Sequence, residues 1–412
     1  MCMAFKTREE MMAARNKEEK LVMGVYAFIT LRLSADQLLS PFLVSTLVRL
    51  FELVFLSGMF WCAFRIWTRG ARARYQGWPL LLILLYAMNC IGIMARGDFS
   101  VGLKSLVMDK LNGADAILAY TLPFVVLSLP NRKYFRSILE VLFLSMLLTV
   151  PIWLLNITEL VREEYLGEAI GVYLPFYGTV LLLFRRKLPR GWRLVTYAIF
   201  FIYLLLMVLN ARRNVIVSLF LYFSVAFIVG NLALIRSNRK FLMGGIAVAI
   251  LMGGIAFASW ESLSQSVFRR LIDRSKDDTR SRVELFFLVD MSSAPARDWV
   301  FGRGMDGSYY QMVEDLDENS ITYDRKVIET GYLHMILKGG IVNVLLILLI
   351  LFTAFYQGIK SGKILIKGLA CFLPIYLIDL YMTNPVSFFA VRTVIFWLIV
   401  SICFQSFQWK AR

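Results

Sequence analysis

The sequence predicts an all-α polytopic membrane protein with about twelve transmembrane helices and one large outer loop, and three observations carry that prediction. Of the 412 residues, 58% are hydrophobic and only 18% are charged, against roughly a quarter charged in soluble domains. Apolar runs long enough to cross a bilayer, about 20 residues each, recur along the whole chain, as in "WPLLLILLYAMNCIGIMA" from Trp78 to Ala95. The basic residues, finally, are shared unevenly between alternate connections.

In chain order, segment 1–20 is charged and lacks an apolar core followed by a small-residue cleavage site, so it reads as a cytoplasmic lead-in and not as a cleaved signal peptide. Spans follow near 21–39, 41–66, 78–95, 115–130, 137–156, 169–184, 194–210, 214–235, 241–259, 331–356, 366–383 and 388–406. Residues 21–259 therefore form a bundle of nine spans, 260–330 the large loop, and 331–412 the last three spans with a short tail. The first span is interrupted by Arg32 and Asp36. The ninth carries "LMGGIA" twice, nine residues apart, which puts small residues on opposite helix faces and suits close packing on both sides.

Charge sets the topology. One set of connections, with both termini, holds 25 Lys+Arg; the other holds 16, ten of them in the loop 260–330. Short basic connections stay in the cytoplasm, whereas long loops are translocated largely regardless of charge. Both termini are thus expected in the cytoplasm and the loop outside, and the net charge of +16 reads as topogenic and not as a nucleic-acid footprint. All five cysteines lie in the lead-in or in apolar spans, so neither a disulfide nor a cysteine–metal site is expected.

The loop holds ten Lys+Arg and fourteen Asp+Glu. Val267, Leu271, Val283, Phe286 and Phe287 recur at near-helical spacing, which predicts two amphipathic helices lying against the bundle. "WVFGRGMDGSYY" reads as a glycine-punctuated turn and "EDLDENS" as a solvated acidic stretch.

Several ionisable residues stand near the outer boundary. Arg212 and Arg213 in "LNARRNVIVSLF" sit where the seventh span leaves the membrane on the side opposite to positive-inside anchors. They either bind lipid phosphates unspecifically or form a site for a phosphate-bearing substrate, to which guanidinium offers a bidentate fork. Arg280 and Arg282 open the second loop helix; solvated arginines matched by Asp277 and Asp278 are the plain alternative, and Arg282 is the better placed to face the outer mouth. Glu329, at the start of the returning helix in "VIETGYLHMILKGG", either complements the helix dipole and pairs with Arg325, or serves as a general base. His334 lies five residues on, offset about 140° around the helix, as a buried hydrogen-bonding group or a second acid–base candidate. Lys338 lines the bundle interior or snorkels. "DLD" at 315–317 lies outside, where nucleotide-sugar donors are absent, and "GRGMDG" follows no strand and opens no nucleotide-binding unit. A metal-free reaction on a lipid-phosphate substrate, with no cofactor, fits what remains.

The returning helix, Glu329-Thr330-x-Tyr332-Leu333-x-x-Ile336-x-x-x-Gly340, resembles the "HNxYLxxLxxxG" signature of the O-antigen polymerase and ligase superfamily. "SRVELFF" resembles that family's "gRlelW", "WVFGRGMDG" its "plfGvGlG", and "ARRNVIV" its "sRxaii", with Arg213 the better match and Arg212 the fallback. The specific part runs from Asn210 to Gly340; the first 200 residues match only as hydrophobic spans. The resemblance implies a GT-C-like fold and inverting glycosyl transfer on the periplasmic face of a bacterial inner membrane, with an undecaprenyl-pyrophosphate-linked oligosaccharide as donor. It implies Arg213, with Arg212 as fallback, Arg282 and Tyr332 as substrate-binding, Glu329 as the catalytic base, and a chain-length regulator and a flippase as partners; Arg280 is a further substrate-binding candidate, and His334, which is not at the ligase histidine's position, stays a second catalytic candidate. This chain carries Glu329 where a ligase has histidine, which favours a polymerase joining lipid-linked repeat units over a ligase acting on lipid A-core. The competing class is a transporter or flippase of lipid-linked oligosaccharide, for which Arg49, Glu52 and Arg392 would line a pathway. A structural scaffold for a polysaccharide export complex is the third reading; it predicts that the outer arginines are dispensable.

Overall fold

The computed structural model describes residues 8–40, 42–102, 106, 110, 117–155, 174–209, 213–237, 279–314, 320–328, 330–382 and 390–407. Among the described residues, seven helices are long and apolar enough to cross a membrane: Asn16–Leu39, Ser45–Thr68, Trp78–Ala95, Phe135–Leu155, Arg190–Met207, Gly331–Lys360 and Ile364–Tyr381. Four shorter apolar helices, Ile117–Ser128, Leu174–Leu183, Val215–Gly230 and Val391–Ser406, fall in further windows of the sequence. The window 241–259, with its repeated "LMGGIA", lies outside the described residues.

Helix α1 (Arg8–Leu39) starts well inside the segment read as a lead-in, because "REEMMAARNKEEK" consists mainly of strong helix formers. Its residues Val22, Val25, Tyr26 and Ile29 form a fully buried stripe at helical spacing and α1 packs along α2 (Ser45–Thr68). The interruption of the first span is explained here: Arg32 reaches Glu52 of α2 at 2.6 Å, and Arg49 reaches the same carboxylate at 2.9 Å.

The bundle continues with α3 (Trp78–Ala95), α4 (Ile117–Ser128), α5 (Phe135–Leu147), α6 (Thr149–Leu155), α7 (Tyr177–Leu183), α8 (Arg190–Leu209) and α9 (Arg213–Ser237). After the loop come α12 (Gly331–Lys360), α13 (Ile364–Ala370), α14 (Phe372–Met382) and α15 (Val391–Phe407). At the end away from the loop the connections are tied by side-chain amides. Asn131 donates to Val126 O and to Ser401 Oγ, both at 2.8 Å, and Gln405 donates to Leu129 O at 2.8 Å. These bonds satisfy backbone carbonyls that a bilayer boundary would otherwise leave unpaired.

Within the loop, α10 (Thr279–Ser292) and α11 (Ala296–Phe301) precede an antiparallel hairpin of β1 (Tyr309–Glu314) and β2 (Ser320–Arg325), with Tyr309 opposite Arg325. The hairpin corrects the all-helical expectation for the loop. Its strands are rich in β-branched and aromatic residues, and Tyr309 is buried while Tyr310 is exposed, the alternation a half-buried strand requires. The acidic residues 315–319 between the strands, "DLD" among them, lie outside the described residues, as does the first expected loop helix around Val267 and Leu271. Phe287, Met291, Tyr309 and Ile328 pack with Leu337 of α12 into a small core separate from that of the bundle. The loop is therefore a folded unit standing on the first turns of α12.

Candidate functional site

Helix α12 has 30 residues, about 45 Å at 1.5 Å per residue, against a hydrocarbon core of about 30 Å. It breaks at Gly340, whose φ of 70° and ψ of −175° are not helical. The 20 residues from Ile341 to Lys360 are by length enough to cross such a core, so the turns before Gly340, which carry His334 and Lys338, are surplus to that length. That surplus explains why ionisable groups open an otherwise apolar helix.

The break is made by the glycine-rich turn after α11. A Cβ on Gly340 would lie 2.1 Å from Val300 O, and one on Gly302 (φ 73°) 2.5 Å from Gly339 N, so two backbones touch where no side chain fits. Carbonyls freed at the break receive new donors: Arg303 N–H donates to Leu337 O at 2.7 Å and Gly304 N–H to Lys338 O at 3.0 Å. Lys338 is 2% exposed and returns two bonds, from Nζ to Met305 O at 2.9 Å and to Gly307 O at 3.0 Å. It neither lines the bundle interior nor snorkels; it clamps the turn. Arg303 is held in turn by Asp290, by Asp298 at 3.3 Å and by Ser308 O at 2.6 Å. Met305 N–H reaches Ile93 O near the end of α3 at 3.1 Å, and Asp306 meets Lys110 at 2.5 Å. Burial raises the Asp306 pKa, but the Lys110 hydrogen bond, the Asp98 N–H and the charges of Lys110 and Lys326 outweigh it and hold the carboxyl below its ordinary value.

The first turns of α12 are bonded by α10 and α14, and α14 in turn is joined to α9 and α15. The Tyr332 hydroxyl donates to Leu377 O of α14 at 2.9 Å. Two residues along, Asp379 is fully buried; it accepts from Ser218 Oγ and, at 3.1 Å, from the Tyr222 hydroxyl, both on α9. Arg392 of α15 stands 3.7 Å from the same carboxylate and 5.2 Å over the Phe176 ring. On the loop side, Thr330 donates its hydroxyl to Glu284 of α10. His334, in the first turns of α12, is 2% exposed.

Of the residues expected from sequence, Tyr332 and His334 are therefore at this mouth. Arg213 is the first residue of α9, five residues before Ser218, or about 7.5 Å along the axis on the loop side. Arg280 and Arg282 occupy the first turn of α10, within one turn of Glu284. The side chains of these three arginines, and Arg212 and Glu329 altogether, lie outside the described residues. The helix itself starts at Gly331, after Thr330 as N-cap, two residues later than the sequence suggested.

Sequence reasoning missed Asp379, Ser218, Tyr222 and Glu284. Asp379 is the one acid between Lys367 and the chain end, and a lone acid in an apolar span is itself a signal. Glu284 carries no mark beyond its place in "SRVELFF". A groove of about 520 Å³ beside α3, α11 and α12 was also missed. It is lined by Leu85, Met88, Asn89 and Phe301, with Arg96 and Arg297 at its loop-side end. Burial first, and then the Arg297 charge, draw the Arg96 pKa below its usual value, while Arg96 donates to Gly302 O at 2.6 Å.

No protein-family model matches the chain, and no curated protein matches it either.

Proposed function

We propose that the protein is a bacterial inner-membrane glycosyltransferase that joins undecaprenyl-pyrophosphate-linked repeat units on the periplasmic face, in a bundle of twelve spans with both termini in the cytoplasm. The observation that carries this reading is one convergence. Thr330 and Tyr332, at the start of α12, bond Glu284 of α10 and Leu377 of α14, the latter two residues from the buried Asp379–Arg392 pair, while Arg280 and Arg282 lie in the first turn of α10 and Arg213 opens α9.

In the reaction, the acceptor hydroxyl oxygen attacks the anomeric carbon of the donor sugar from the face opposite the pyrophosphate. The new C–O bond forms as the bond to pyrophosphate breaks, and the leaving group departs with the electron pair. Glu329 takes the hydroxyl proton. Arg213, Arg282 and Arg280, with Arg212 behind them, neutralise the charge growing on the pyrophosphate, and guanidinium suits two phosphate oxygens at once. Tyr332 and His334 orient the sugars. Asp379 is a positioning residue that fixes Arg392. The groove topped by Arg96 and Arg297 suits the phosphate end and isoprenoid chain of a lipid carrier.

In cells, Glu329→Gln or Arg282→Ala is expected to abolish polymer and leave single repeat units on the carrier. Full-length polymer from Glu329→Gln would overturn the assignment of the base. A second reading, transport of the lipid-linked unit, has support in Glu52, 1% exposed between Arg32 and Arg49, since ionisable groups inside a bundle often line a pathway. Movement of the unit across a liposome membrane without polymer would favour it.

A further inference from the structure

At the end of the bundle away from the loop, a cavity of about 670 Å³ is lined by Arg185, Arg190, Gly191, Arg193, Leu194 and Tyr197. Three arginines line it, and no carboxylate does among the described residues. The sequence around it offers none: residues 169–260 contain ten Lys+Arg and no Asp or Glu. On α5, which packs against α8, Glu140 is engaged by Arg136 at 3.8 Å, Glu18 of α1 by Lys133 at 2.9 Å, and Glu19 by Ser137.

The cavity is rigidly built. Arg185 is 9% exposed, donates to Ala226 O at 3.3 Å and lies 5.6 Å over the Phe227 ring. Trp192 stacks on Phe143 at 4.2 Å with the planes 6° apart, which fixes the neighbouring Arg193. The Arg193 Nε is enclosed and has no hydrogen-bond partner among the described residues. Clustered guanidiniums repel one another, and an anion in the cavity removes that cost.

The apolar wall says what carries that anion. Leu194 lines the cavity and is 72% exposed, and Phe201 and Leu205 continue the same exposed face of α8 at 49% and 57%. Residues 194, 201 and 205 fall on one helical stripe leading from the arginines along the lipid-facing side. A free phosphate has no use for that stripe, whereas an acyl chain does.

We infer that this cavity binds the phosphate headgroup of an anionic membrane lipid, with its acyl chain along Leu194, Phe201 and Leu205. The site is independent of the proposed glycosyl transfer. The test uses the full-length protein in detergent, with phosphatidylglycerol, phosphatidylcholine and inorganic phosphate as separate probes, and native mass spectrometry and melting temperature as readouts. Wild type is expected to retain phosphatidylglycerol over phosphatidylcholine. The double variant Arg190→Gln/Arg193→Gln, which spares the buried Arg185, is expected to lose about thirtyfold of that preference while melting normally in phosphatidylcholine. Arg72→Gln/Arg74→Gln, two exposed arginines at the same end, should change little. Equal loss in both double variants would reduce the effect to general surface charge and overturn the site. Stabilisation by inorganic phosphate with no lipid preference would overturn the lipid as occupant. If the double variant melts early, Arg190→Lys/Arg193→Lys is expected to retain most of the preference, and its complete loss would count against the proposal.

Discussion

At the loop-bearing end of the bundle, buried Asp379 accepts from Ser218 and Tyr222 and pairs with Arg392, and Lys338 and Arg303 are each held by two or more acceptors. At the opposite end Arg185, Arg190 and Arg193 share a cavity that no carboxylate lines among the described residues. Both ends are rich in cations and both contain ion pairs, but among the described residues no carboxylate lines that cavity. The first arrangement fixes geometry, as a site for positioned chemistry requires. The second leaves positive potential unspent, as a site for a bound anion requires.

The difference can be broken most severely at the backbone contact. Gly340→Val would drive a branched side chain into Val300 O, and a loss beyond about 5 kcal/mol is expected. The loop should then become protease-sensitive before the bundle melts; a variant as resistant as wild type would mean that the contact does not hold the loop.

Next comes the buried pair. Asp379→Asn leaves Arg392 without its counter-charge, at an expected cost of about 3–5 kcal/mol. Adding Arg392→Gln should recover part of the melting temperature, and failure of that rescue would show that Asp379 acts through Ser218 and Tyr222 alone.

Asp306 gives a smaller, pH-dependent effect. Its folded-state pKa is lowered, so the unfolded state binds the proton more readily. Its stabilisation is present above the ordinary aspartate value of about 3.9 and is lost as pH falls through the lowered one. Because the carboxylate is partly exposed, the contribution is about 1 kcal/mol. Asp306→Asn should flatten the acid limb of a melting-temperature profile, and an unchanged limb would contradict the ion pair with Lys110. At the far end, Glu140→Gln removes an exposed pair with Arg136 and should change stability by less than about 0.5 kcal/mol; a larger loss would mean that this end also depends on pairing.

Much of the bundle was legible because a span is a long apolar run, and Trp78–Ala95 matches its window residue for residue. The role of Lys338 was not legible. Its partners, the carbonyls of Met305 and Gly307, are 33 and 31 residues away in sequence, and nothing local tells a lysine that snorkels from one that clamps a turn. The hairpin was hidden for a different reason: its strands are short and flank an acidic run that reads as plain loop. For the candidate site, residue types near the boundary singled out the start of α12, but the partnership of Asp379 with Arg392 depends on how α9, α14 and α15 pack, which periodicity does not encode.

The most direct test of the account is the purified protein in detergent with lipid-pyrophosphate-linked repeat units, without nucleotide sugar or added divalent metal. The account predicts a ladder of polymerised product that Arg282→Ala abolishes and Arg190→Gln/Arg193→Gln leaves in place. A ladder undiminished by Arg282→Ala, or no ladder from folded wild-type protein, would contradict it.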